Sequence, residues 1–267
     1  MNDTFDALLK EAGFTKEMLG AGASQIRNAN YASKGIYFQS FVSLSTGLER
    51  IGKLCLMLDF YIRSGGEFPD FASMKKEIGH KLILLYEKSQ KIVADRSIAF
   101  RYLKCLPDPI HTSIVSVLHG FAEGDRYANI NHLVGSIQTD DPISRWYREV
   151  DIPIYEQRVT GHKKEVIACK AAMLAKAAKS WAVVFHSSES GKEITDFEEA
   201  SFLTGVYESV SPYRQLYVLQ IIRYWVELLL ELESPARAIG KQDIPYFGEL
   251  FAIFYNDDKL LRSRKTW

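Results

Sequence analysis

Charge of one sign is the first thing missing. The chain has 33 Lys and Arg against 33 Asp and Glu, so no overall field draws in nucleic acid or an acidic surface. Any such binding needs a local basic patch. Cysteine is scarce as well. Cys55, Cys105 and Cys169 lie far apart with no C-x-x-C spacing, which argues against a zinc ribbon or a dithiol redox pair. They read as thiols of a reducing compartment, with Cys55 and Cys169 on apolar helical faces expected to be buried. No run approaches the roughly 20 uncharged apolar residues of a membrane span. The opening MNDTFDALLKEAGF is acidic, and its apolar run is too short for a secretory leader. The expectation is a cytoplasmic protein without a membrane segment. Catalytic signatures are missing too: no G-x-x-x-x-G-K-S/T, no G-x-S-x-G, no strand-borne G-x-G-x-x-G and no H-E-x-x-H. No two of the six histidines have i, i+4 zinc-ligand spacing. Neither a metal nor a cofactor is expected.

What is present is helical periodicity along a chain that is 47% hydrophobic. Leu44, Leu48, Ile51, Cys55, Leu58 and Ile62 step by four and three, within a helix expected from about 35 to 63; Glu49, Arg50, Lys53 and Asp59 fall off this seam. SGGEFP stops it, and a second helix over about 71–94 should return antiparallel across so short a loop. CLPDPIH breaks the pattern because Pro107 and Pro109 lack an N–H. A short helix over about 110–122 follows. Asp141 and Pro142 open another, which Pro153 interrupts. Residues 163–186 read as a long helix with Val166, Cys169, Met173, Ala177, Trp181 and Val184 on one side. Thr195 with Glu198 forms a capping-box signature for a helix to about 210. Ser211-Pro212 starts one more, with Leu216, Leu219 and Val226 inward. IPYFGELFAIFY reads as a short helix or an edge strand. The fold class is all-α, a multi-helix bundle with two long antiparallel helices near the N-terminus. Any division falls near 140, with residues 1–140 as one helical bundle and 141–267 as a helical half packed on it.

The stretch that bears on chemistry is GDRYANINHL, residues 124–133. Gly124 and Asp125 are loop and cap residues, so Arg126 opens a helix that carries His132. Six residues of uniform helix would turn the two side chains about 120° apart, and they converge only if Arg126 enters from the cap. Upstream, LSTGLERIGKLCLMLDFY and then IGHKLILLYEKS place Glu49 and Lys53 between apolar positions and begin the next helix with His80-x-Leu82. Over residues 35–140 this combination resembles the HEPN superfamily of small helical bundles, whose nucleases carry a late Arg and, four to six residues on, a His.

The resemblance implies metal-independent RNA cleavage. His132 would take the proton from a ribose 2′-OH, which attacks the adjacent phosphate; an imidazole titrating near 6.5 suits that transfer. Arg126 would hold the phosphate and the charge growing on it. Asn129, Asn131, Tyr127, Glu49, Lys53 and His80 would support the pair. Superfamily nucleases often have a polar residue where this chain has Tyr127. Two copies would pair as a homodimer so that two motifs share one groove. The residues alone also allow plainer roles: Arg126 and His132 as a helix-start pair, Glu49 and Lys53 as a solvated i, i+4 salt bridge, His80 as a packing residue. On those roles the chain is a non-catalytic helical module for a protein partner or small ligand.

Overall fold

The computed structural model describes residues 2–103, 105–136, 140–178 and 183–267. It is an all-α bundle. α1 (Asp3–Asn28) and α2 (Lys34–Arg63) are the long antiparallel pair. Asn2 caps α1 by accepting the Phe5 N–H, and Asp3 and Asp6 face its positive end. The two helices approach closely because glycine stands at the crossing: a Cβ on Gly22 would lie 2.6 Å from Leu44, and one on Gly47 2.8 Å from Leu19. On α2 the periodic seam is inward as expected, with Leu44, Leu48, Ile51, Cys55 and Leu58 buried and Ile62 half-buried.

The next segment departs from expectation. Residues 71–94 are not one helix. α3 (Phe71–Ser73) passes into a wide π turn (Met74–Ile78), and Gly79 at φ +75° ends it before α4 (Leu82–Asp95). Gly52 meets Leu85 and Asp59 meets Arg96, so the contacts advance together and α4 runs in the same direction as α2. The 64–81 connection travels back along α2, which a tight antiparallel hairpin does not.

α5 (Pro109–Glu123) is capped by Asp108, and a 3-10 turn (Asp125–Tyr127) leads into α6 (Ala128–Leu133). α7 (Pro142–Trp146), capped by Asp141, continues through a π turn (Tyr147–Asp151) into α8 (Ile152–Arg158). Pro153 therefore does not interrupt the helix. It sits in the first turn of α8, where the wide turn before it leaves no helical partner for the N–H that proline lacks. α9 spans Gly161–Ala178 and buries Ile167, Ala171 and Ala178, whereas Cys169, Met173 and Ala177 of the expected stripe are exposed. Trp181 lies outside the described residues. A two-residue hairpin follows, β1 (His186–Ser187) antiparallel to β2 (Glu193–Ile194).

α10 (Phe197–Arg237) is 41 residues long and passes straight through Pro212, so the two helices expected there are one. Its cap is Asp196, which accepts the Glu199 N–H at 2.8 Å, rather than Thr195. A mid-helix proline costs about 3 kcal/mol; the run of buried residues from Val210 to Leu232 offsets it. α11 (Phe247–Phe251), a 3-10 turn (Ala252–Phe254) and α12 (Asp258–Ser263) finish the chain, so the IPYFGELFAIFY segment is helical. α10 packs on α1, α2, α9 and α12, and one apolar core joins Leu44 and Leu118 to Val218 and Phe251.

At the centre, Arg214 of α10 is buried with Asp151. Arg214 Nε and Nη2 donate to Asp151 at 2.8 and 2.6 Å; Nη2 also reaches the Tyr37 hydroxyl, and Nη1 donates to the carbonyls of Ile26 and Ala29. Every guanidinium N–H is used. Asp151 also accepts from Trp146 Nε1 at 3.0 Å and from the Tyr37 hydroxyl at 3.2 Å. Burial alone would lower the Arg214 pKa, but Asp151 and its neighbours raise it above the ordinary value. Removing one partner leaves an uncompensated buried charge. Asp151→Asn is therefore expected to lower the unfolding free energy by about 3–5 kcal/mol, read from urea denaturation at pH 7. A variant within about 0.5 kcal/mol of the parent would contradict this assignment.

Candidate functional site

The sequence-derived site sits at the far end of α5. Gly124 closes that helix at φ 162°, and its carbonyl accepts the Tyr127 N–H at 2.9 Å, which winds the tight turn that carries Arg126. Asp125 is inside this turn and makes no cap bond to it, so Arg126 does not open the helix of His132. Arg126 enters from a separate 3-10 turn, and His132 stands in the last turn of α6. Simple α-helical winding therefore does not fix their relative direction.

Both side chains are exposed. The Arg126 guanidinium lies 5.0 Å from the centroid of the Tyr127 ring, a cation–π contact. Asn129 is exposed and Asn131 half-buried. Around them Ile130, Leu133 and Val134 are open to solvent, with Leu133 at 82% exposure, so the segment projects an apolar fringe beside its polar residues. His80 arrives at the same end of α5: His80 Nε2 and Lys81 Nζ each lie 3.7 Å from the Glu123 carboxylate, three residues before Arg126. Glu49 and Lys53 pair with each other at 2.6 Å on α2, and neither is bonded to Arg126 among the described residues. The structure thus brings His80 to the neighbourhood of Arg126 and leaves Glu49 and Lys53 as their own ion pair. Among the described residues no group of His, Cys, Asp and Glu is placed to hold a metal ion, and no helix is long and apolar enough to cross a membrane.

A second constellation was not foreseen. Between α5, α10 and α12 lies a cleft of about 430 Å³ whose lining includes Asp108, His111, Arg158, Tyr217, Asp258 and Arg262. Tyr217 donates to Asp108 at 2.7 Å, and Arg158 donates to Asp108 at 3.0 Å and to the Tyr217 oxygen. Burial opposes ionisation of Asp108, yet the Ile110 N–H, Tyr217 and Arg158 outweigh it and hold the carboxyl below its ordinary value. Burial and the bond to Asp108 push Tyr217 up to about 12. His111 Nε2 is 2.8 Å from Gln220 Oε1, and Gln220 Nε2 donates to Asp258 at 3.0 Å. An amide oxygen only accepts, so this chain assigns the imidazole proton to Nε2. Nδ1 is left as a buried lone pair with no partner among the described residues. Burial also lowers the His111 pKa. The cleft thus presents the Arg158 guanidinium, held by Asp108 and Tyr217, while the free lone pair of His111 stays enclosed.

In the sequence this cleft shows only as the break at Pro107 and Pro109; the cap that Asp108 gives α5 is seen in the structure. Arg158 and Tyr217 are 59 residues apart, and nothing in the sequence pairs them. Comparison of the chain with protein-family models, with curated proteins and with solved structures finds no match in any of the three.

The depressed Asp108 pKa has a definite sign. It contributes stability that is complete above the unfolded carboxylate value of about 3.9 and is lost as pH falls through the folded value. Asp108→Asn keeps a cap-competent side chain but removes the charge. The variant should be less stable than the parent at pH 7, and the gap should close on acidification below pH ~4. A gap independent of pH in paired denaturation curves would contradict the assignment.

Proposed function

We propose that the chain is a HEPN-like, metal-independent endoribonuclease that works as a homodimer through Arg126 and His132. The observation that carries this reading is their placement: both lie open on one short projection after α5, with His80 and Lys81 beside its base. A base and a phosphate-binding guanidinium have to be reachable by a polymer, and neither is sealed in packing. The exposed Ile130, Leu133 and Val134 supply the apolar surface on which a second copy pairs. Pairing brings a second histidine to protonate the leaving 5′-oxygen, which one motif with one imidazole does not provide.

In this reading neutral His132 removes the 2′-OH proton and the 2′-oxygen attacks phosphorus. Arg126 holds the non-bridging oxygens as charge develops. The products are a 2′,3′-cyclic phosphate and a free 5′-OH, so the reaction is confined to RNA. Purified protein should cleave RNA in EDTA and leave cyclic phosphate ends. His132→Ala should lower the rate by about 10²–10⁴-fold without changing the circular dichroism spectrum. Leu133→Asp should lower both the dimer fraction in sedimentation and the rate. Cleavage that needs Mg²⁺, or that survives His132→Ala, would remove the proposal.

The cleft at Asp108 favours a second reading, a non-catalytic module for a small organic anion. Under it RNA stays intact, and titration calorimetry with small carboxylates and nucleotides gives heats that Arg158→Ala abolishes.

A further inference from the structure

Between the last turns of α2 and α4 runs a groove of about 590 Å³ that no part of the Arg126–His132 segment lines. Its floor is apolar: Leu56 and Ile92 are buried, and Phe60 is half-buried. Its walls carry Arg63, Lys76, Lys88, Lys91 and Arg96 against Asp59 and Asp95. Among the described residues, five cations against two carboxylates leave a formal excess of three positive charges.

The two arginines are fixed in place. Asp59, nearly buried, accepts Arg63 Nε at 2.8 Å on one oxygen and Arg96 Nε at 2.6 Å on the other. One carboxylate thus orients two guanidinium groups while neutralising the charge of one, and the Arg63 guanidinium also lies over the Phe60 ring at 5.6 Å. Lys76 and Lys91 are exposed and make no ion pair among the described residues. A plainer role for these cations is to neutralise the helix ends, because α2 and α4 run the same way and both C-termini point here. Each terminus is worth only about half a negative charge. Two of them leave a clear positive excess.

We infer that this groove binds the phosphate backbone of a single RNA strand. A cationic channel with an aromatic side chain on its floor suits a strand whose phosphates are held and whose bases stack without sequence preference. The geometry of α4 connects it to the candidate nuclease segment. At 1.5 Å per residue the helix is about 21 Å long, with the groove at its C-terminal end and His80 and Lys81 at its start. The choice of RNA as the strand rests on the nuclease reading; the groove's affinity for phosphates does not.

The test is fluorescence anisotropy with a labelled, fully 2′-O-methylated oligonucleotide of about ten nucleotides, which lacks the attacking hydroxyl and stays intact. The wild type should bind. The double variant Lys76→Glu/Lys91→Glu reverses two exposed charges and should raise Kd at least ~10-fold, with the slope of log K against log salt falling by about one to two. Arg126-dependent cleavage with unchanged binding by K76E/K91E would overturn the groove and leave the nuclease standing. Groove-dependent binding with RNA left intact would remove the nuclease and keep the groove. Displacement of tripolyphosphate by the oligonucleotide supports a strand site, and binding of tripolyphosphate alone would overturn it.

Discussion

Burying a guanidinium and a carboxylate together is expensive unless every donor and acceptor is met. Arg214 and Asp151, at 2% and 3% exposure, meet that condition through their bonds to each other, to Tyr37 and Trp146, and to two backbone carbonyls. The partners come from widely separated places: the end of α1, the start of α2, the turn between α7 and α8, and the middle of α10. None of these elements can shift without leaving a charge or a carbonyl unpaired in the interior. Glu189 of the hairpin loop, 3.4 Å from the Tyr37 hydroxyl, adds a further buried acid whose own pKa is raised by burial. The bundle is thus locked at one polar point, with the apolar faces of α1, α2 and α10 packed around it.

The candidate sites lie away from this lock. The Arg126–His132 segment, the Asp108 cleft and the cationic groove are all at the periphery, carried by helix ends whose other faces are packed. A net charge of zero thus conceals strong local differences. Asp59 shows how this arises: it lies at the edge of the apolar seam of α2, and the parallel course of α4 covers it and brings Arg96 to it. A surface acid becomes the pivot for two cations, and the surplus positive charge gathers in one groove.

Much of the fold was legible in the residues. The α2 seam, the Asp141 cap and the break at Pro107 and Pro109 follow from periodicity and proline chemistry, and they stand where expected. Two of the misreadings share one cause, tertiary packing overriding a local signal. Pro212 reads as a helix start and is instead carried through by the buried face of α10. Met173 and Cys169 form an apolar stripe, yet α10 covers Ile167 and Ala171 instead. Helix α1 also carries its start signal in its sequence, with Asn2 as N-cap and Asp3 and Asp6 in the first turn. The Arg126–His132 pair was visible as a motif, although its 3-10 entry was not. The Asp108 cleft and the groove were invisible, because their residues converge only through the directions in which helices run.

The same central bond has a temporal side. Only five residues separate α1 from α2, so that hairpin closes over a short loop as soon as it emerges during synthesis. The carbonyls of Ile26 and Ala29, however, find their donor 188 and 185 residues later. Until the ribosome has delivered position 214, the nascent hairpin must keep that end hydrated, or shielded by a chaperone. That corner of the bundle cannot close until one distant side chain arrives.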